Sequence, residues 1–179
     1  MGWARIVAAA MGIVQGVLMR DLLIKTGKVL VERGWRVSTA ESCTGGGVAQ
    51  ALTELPGSSD WYEGGVVVYS NHLKQSLLNV PAELLAREGA VSEAVVREMV
   101  RQVCRVTGVD VGVATSGIAG PGGAVPGKPV GTVWIGWCVH GEVTAECYLF
   151  EGDRAAVREQ AVMNALTGLL HRIEAWEGS

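Results

Sequence analysis

The stretch STAESCTGGG, Ser38 to Gly47, sets one carboxylate (Glu41), three hydroxyl or thiol side chains (Ser42, Cys43, Thr44) and three glycines (Gly45, Gly46, Gly47) in seven consecutive residues. An ordinary connection needs a turn residue or two. This one carries candidate nucleophiles at the point where an apolar strand, Trp35 to Ala40, gives way to a helical run, Thr44 to Leu52. Backbone N–H groups at such a helix start stabilise negative charge, whether a phosphate or a developing oxyanion. The pattern is not a P-loop, because no Gly-Lys-Ser/Thr follows. Nor is it a G-x-S-x-G elbow, because Ala40 and Thr44 stand at the glycine positions. It shares the elbow's logic: a sharp strand-to-helix turn with a serine at the corner. The plainer alternative is that Ser42 and Thr44 only cap the helix.

A serine hydroxyl needs a base, and none of the three histidines is placed for a Ser-His-Asp arrangement. Lys74, in YSNHLK, falls at the third position of a helix whose N-cap is Asn71. The positive end of the helix dipole and burial against an apolar strand both disfavour a protonated lysine there. A neutral lysine could take the serine proton and return it to a leaving amine. A solvated helix lysine is the bland alternative. Cys43, with His72 as partner, competes with Ser42, although a small buried thiol is ordinary core material. Lys128 is a rival base in a glycine- and proline-rich segment. A third group is EGDRAAVR, where Asp153 caps a helix and Arg154 sits in its first turn. A cation is unfavourable at that end unless an anion accompanies it. That anion is either Asp153 or a ligand phosphate.

The surrounding elements are those of one domain. The chain has 179 residues, is 49% hydrophobic and 18% charged, and carries a net charge of −3. This is enough for one well-filled core, and there is no basic block for nucleic acid. The cysteines, Cys43, Cys104, Cys138 and Cys147, lack metal-ligand spacing and lie in apolar segments, as reduced core thiols of a cytoplasmic protein would. No metal or organic cofactor is expected. Helices are expected from Asp21 to Arg33, over NHLKQSLLNV, after Pro81, after Ser92 and from Asp153 toward Trp176. Buried strands are expected at Val66–Ser70 and Val109–Ala114, and a hairpin around His140-Gly141. A second glycine-rich loop spans Thr115–Thr132. Strands alternating with helices, then a hairpin, predict an α/β sandwich with a mixed sheet. Residues 1–19 read as an N-terminal extension of uncertain role: a secretory signal, an accessory segment, or sequence upstream of a start at Met11 or Met19. They are too short and interrupted to span a membrane. The domain runs from 20 to 179. Trp61 and Trp176, read as exposed, leave room for a homodimer interface.

The motifs AESCTGG, GSSDWYEGGVVVYSNHLK, GAVSEAVVREM, SGIAGPGG, KPVGTVW and GDRAAVR, in this order, resemble the CinA C-terminal domain family, the nicotinamide-nucleotide amidohydrolases. The likeness covers about Asp21 to the C-terminus. It implies a three-layer α/β/α sandwich with a mixed sheet, and hydrolysis of nicotinamide mononucleotide to nicotinate mononucleotide and ammonia. Carried over residue by residue, it implies a dyad of Ser42 and Lys74, with Tyr69 counted in the catalytic set. Glu41, Thr44, Gly45, Gly46, Asn71, Thr115, Gly120 and Arg154 form the implied substrate-binding set. Arg154 would take the phosphate, Thr44, Gly45 and Gly46 would supply oxyanion donors, and the segment Ser116–Gly123 would close over the substrate. Longer family members carry a further N-terminal domain that has no counterpart here. Two rivals remain: an amidase for another small amide, and a nucleotide- or partner-binding module of the same fold without activity.

Overall fold

The computed structural model describes residues 3–178. A first helix, α1 (Trp3–Arg33), ends at Gly34, whose φ of 67° turns the chain out of the helix. Strand β1 (Val37–Glu41) is followed by the glycine-rich turn and the short helix α2 (Gly47–Leu52). A 3₁₀ turn at Ser58–Asp60 leads into β2 (Tyr62–Val67), then α3 (Asn71–Leu78), α4 (Ala82–Glu88) and α5 (Glu93–Thr107). The rest is β3 (Val111–Gly117), the hairpin of β4 (Thr132–Val139) and β5 (Glu142–Leu149), and α6 (Arg154–Ala175).

The five strands form one sheet in the order β2-β1-β3-β4-β5. β2, β1 and β3 are parallel, and β4 and β5 run antiparallel to their neighbours. The period-2 alternation of side chains divides the core in two. Val37, Val111, Val113, Val133, Ile135 and Trp137 point to the face covered by α1, α2 and α6. Ala40, Ala114 and Cys138 point to the face covered by α3, α4 and α5, where Leu78, Leu85, Val96, Met99 and Val100 fill the core. This is the three-layer α/β/α sandwich with a mixed sheet that the sequence predicts.

Several boundaries differ from the expected ones, each for a local reason. α1 begins at Trp3 rather than Asp21: with no proline before residue 56, nothing breaks the backbone helix where the apolar pattern weakens. Met19, Leu22, Leu23, Val29 and Leu30 pack against the core, while Val14, Val17 and Leu18 are exposed. β2 starts earlier than expected and takes in Gly64 and Gly65, because Tyr62–Val67 pairs along Val37–Glu41. At Gly65 the neighbouring Thr39 Oγ1 occupies the space a Cβ would need. β3 runs on to Gly117, three residues beyond the expected end, because β4 pairs with it that far. The cap of α3 is Ser70, not Asn71: its Oγ accepts from Leu73 N–H at 3.1 Å, which makes Lys74 the fourth helical residue. Ser92 and Asp153 cap α5 and α6 as expected.

Neither tryptophan offered for a dimer interface is an open surface residue. Trp61 is buried, and Trp176 stacks on His140 and meets Trp35 edge-on. Three of the four cysteines are buried, as expected of core thiols, but Cys147 is exposed on β5.

Candidate active site

The nucleophile loop is organised by Glu41, the last residue of β1. Its carboxylate is 1% exposed and accepts four hydrogen bonds. Oε2 takes Thr44 Oγ1–H (2.7 Å), Gly46 N–H (2.9 Å) and Val48 N–H (3.0 Å), and Oε1 takes Ala49 N–H (2.8 Å). The donors are the loop's own threonine and the free N–H groups at the start of α2, so the carboxylate is a helix cap supplied from the preceding strand. Thr44 and Thr115 share a 2.7 Å bond behind the loop, and both are fully buried. Gly46 adopts φ 95°, the left-handed conformation that turns the chain into α2.

Of the expected substrate-binding set, Glu41, Thr44 and Thr115 are buried and do not line the cavity onto which Ser42 opens. The expected oxyanion donors are also occupied or hidden: Gly46 N–H is held by Glu41, Gly45 N–H donates to Ser42 O (3.1 Å), and Thr44 is wholly covered.

Ser42, at the corner, faces Lys74 across 3.2 Å. A helical side chain leans back toward the helix N-terminus, so Lys74 reaches past the start of α3. Its Nζ donates to Val68 O at 2.9 Å and to Tyr69 O at 3.5 Å. The residue is 1% exposed and has no carboxylate partner among the described residues. Burial pushes its pKa below the ordinary lysine value. At 3.2 Å Nζ also donates to Ser42 Oγ, and a deprotonated amine at the same place could instead accept Ser42 Oγ–H. The neighbouring Cys43 behaves oppositely: burial pushes its thiol up to about 11, so it stays protonated at neutral pH. The rival bases are elsewhere. Lys128 donates to Glu88 O (3.0 Å), and exposed His72 is outside the cavity.

Ser42 and Lys74 open into a cavity of about 240 Å³ that is also lined by Tyr69, Asn71, Gly120 and Arg154. Its apolar wall is Ala90, Val91 and Ile118. Ser116 Oγ–H fixes that wall by donating to Ala90 O at 2.7 Å. At the outer end Arg154 donates to Gly120 O (2.9 Å) and to Tyr69 Oη (3.0 Å). Asp153 is engaged in capping Ala156 N–H, and no carboxylate pairs with Arg154 among the described residues. Tyr69 Oη makes no hydrogen bond to Ser42 or Lys74.

One contributor gave no signal in the sequence beyond its place one helical turn after Arg154. Arg158 reaches the back of the nucleophile loop and donates to Cys43 O (3.2 Å) and Thr44 O (2.8 Å). It borders a larger cavity of about 390 Å³ between α1, α2 and α6, which holds no nucleophile–base pair. Among the described residues no His, Cys, Asp and Glu cluster is arranged to hold a metal ion, and no helix is long and apolar enough to cross a membrane.

Fold and site together define an α/β/α protein with a buried serine–lysine pair at the mouth of its parallel strands. The sequence profile of the CinA C-terminal domain matches residues 20–173, and the chain belongs to that family. It is 50% identical over 149 residues to the nicotinamide-nucleotide amidohydrolase PncC of Pseudomonas putida, covering 83% of this chain and 93% of that protein. The protein of the same name from Escherichia coli K12 is 48% identical over 152 residues, covering 84% and 92%. A crystal structure of the competence damage-inducible protein A from Klebsiella pneumoniae superposes with a TM-score of 0.86 at 40% identity, covering 89% of this chain and 99% of that one.

Proposed function

We propose that the chain hydrolyses the carboxamide of nicotinamide mononucleotide, giving nicotinate mononucleotide and ammonia, as a cytoplasmic enzyme of pyridine-nucleotide salvage. The observation that carries the reading is the buried, carboxylate-free Lys74 amine 3.2 Å from Ser42 Oγ. The names of the similar amidohydrolases support the substrate.

In this mechanism Ser42 Oγ attacks the carboxamide carbon while its proton passes to neutral Lys74. The tetrahedral intermediate collapses as the lysine ammonium protonates the departing nitrogen, and ammonia leaves. Lys74 is then neutral again and takes a proton from water, whose oxygen attacks the acyl-serine ester. The C–Oγ bond breaks, Ser42 recovers its proton, and the acid is released. The pyridine ring lies against Ala90, Val91 and Ile118. Arg154 takes the 5′-phosphate, with Tyr69 and Asn71 beside it, so Tyr69 positions substrate rather than exchanging protons with Ser42. No step draws on a metal or an organic cofactor. A homodimer stays within the proposal, and sedimentation would test it.

Ammonia release from nicotinamide mononucleotide and from free nicotinamide tests the substrate assignment. The nucleotide should be strongly preferred, since only it offers Arg154 a phosphate. Equal rates would make this an amidase for another small amide. Nucleotide binding with no ammonia would leave a binding module.

A further inference from the structure

Gly45 and Gly46 N–H are spent inside the loop and Thr44 is buried, yet the mechanism above develops a negative oxygen beside Ser42. The sheet register supplies a donor in their place. Backbone groups of β3 alternate between its two neighbours. Even-numbered residues face β4: Asp110 O accepts from His140 N–H, and Ile118 N–H donates to Thr132 O, both at 2.8 Å. Odd-numbered residues face β1, where Thr115 O accepts from Ser42 N–H at 3.0 Å. In a continuing parallel ladder the carbonyl of Ser42 would next accept from Gly117 N–H. Instead that carbonyl turns to accept from Gly45 N–H, as the chain leaves the sheet. Gly117 N–H is thus left without a partner among the described residues, at the end of β3, facing the place that Ser42 occupies. Both residues line the same cavity.

The residue type fits this geometry. A Cβ at position 117 would stand 2.6 Å from Val133 Cγ2 and 2.9 Å from Thr132 O. Glycine lets β4 close against this end of β3 and leaves the N–H bare. A half-buried unpaired amide is costly to keep unless something periodically satisfies it.

We propose that Gly117 N–H is the oxyanion donor of the amide hydrolysis, an inference that rests on the Ser42–Lys74 reading. As Ser42 Oγ bonds to the carboxamide carbon, the C=O π pair moves onto oxygen, and Gly117 N–H donates to that oxygen. When the C–N bond breaks and ammonia leaves, the pair returns to re-form the C=O of the acyl-serine. The same donor serves when water attacks the ester.

Replacing residue 117 by glycolate through semisynthesis turns its amide into an ester, deleting the N–H and adding no side chain. The expected result is a fall in kcat of about 10²–10³-fold, with the KM for nicotinamide mononucleotide and inhibition by nicotinate mononucleotide little changed. A folded ester variant with kcat within about threefold of the unmodified protein would overturn the proposal, because removing an oxyanion donor costs more than that. The unmodified protein provides a second reading that does not depend on the variant folding. With 3-pyridinylboronic acid, which forms a tetrahedral adduct on a nucleophilic serine, the Gly117 amide proton should move downfield, and it should not do so in Ser42→Ala. Adduct formation without that movement would also overturn the proposal. Wild type and Ser42→Ala are assayed alongside. If wild type releases no ammonia, the underlying reading falls; if it does and Ser42→Ala does not, the ester result judges Gly117 alone.

Discussion

Lys74 is a cationic residue type buried beside two carbonyls, a hydroxyl and no carboxylate, and that burial disfavours its charged form. Its pKa lies below the ordinary 10.5, so kcat/KM should rise with pH along a one-proton limb whose midpoint falls below that value. Lys74→Arg, which keeps a proton at all accessible pH, should lose at least ~10³-fold in kcat. A flat pH profile for wild type would contradict the assignment. Stability should follow the same group. Unfolded chains hold the proton up to the ordinary lysine pKa, whereas the folded state releases it earlier. The Lys74 contribution is therefore complete above 10.5 and is lost as pH falls through the lowered folded value. Urea midpoints measured across that window should rise with pH in wild type and do so less in Lys74→Met. At this scale the sequence was informative about which side chains meet. Ser42 and Lys74 could be named from the motifs that carry them. The spending of Gly45 and Gly46 N–H groups could not, because it depends on where the Glu41 carboxylate and the Ser42 carbonyl point.

At the scale of elements, two devices hold the β1–α2 turn. Glu41 caps α2 from in front, and Arg158, on α6, clamps two loop carbonyls from behind. Glu41→Ala would strand four donors, each worth roughly 1–3 kcal/mol when left unmade, so a loss of at least ~3 kcal/mol is expected in chemical denaturation. The two arginines of α6 should separate kinetically. Arg154→Ala removes charge-assisted bonds to the phosphate, so it should raise KM about 10–100-fold and spare kcat. Arg158→Gln loosens the loop that presents Ser42, so it should lower kcat ~10-fold or more with KM little changed. The opposite split would exchange their roles. Caps written in local sequence, Ser92 and Asp153, were legible. Strand ends were not, since Gly64, Gly65 and Gly117 look like loop residues until a neighbouring strand pairs with them.

For the whole molecule, the sheet separates two packed faces, and the alternation of small and large residues along β3 and β4 made that layering legible. Trp137 is the largest fully buried side chain on the α1–α2–α6 face. It is fully buried, donates to Ala165 O at 2.8 Å, and lies under the Arg172 guanidinium at 3.7 Å. Trp137→Ala should cost about 3–5 kcal/mol and lower Tm by ~10 °C or more. The KM of whatever protein remains folded should be unchanged, since the site sits at the far end of the strands. A raised KM with unaltered Tm would place Trp137 in the site instead. The extent of α1 was the least legible feature. Exposed Val14, Val17 and Leu18 mark no buried apolar stripe, and only the backbone shows that the helix runs from Trp3 to Arg33.

The measurement that bears most directly on the central claim is ammonia release from nicotinamide mononucleotide by wild type, Ser42→Ala and Cys43→Ala, each with a chelator present. Activity should persist in wild type and in Cys43→Ala and disappear in Ser42→Ala. Survival of activity in Ser42→Ala, or its loss in Cys43→Ala with the fold intact, would contradict Ser42 as the nucleophile.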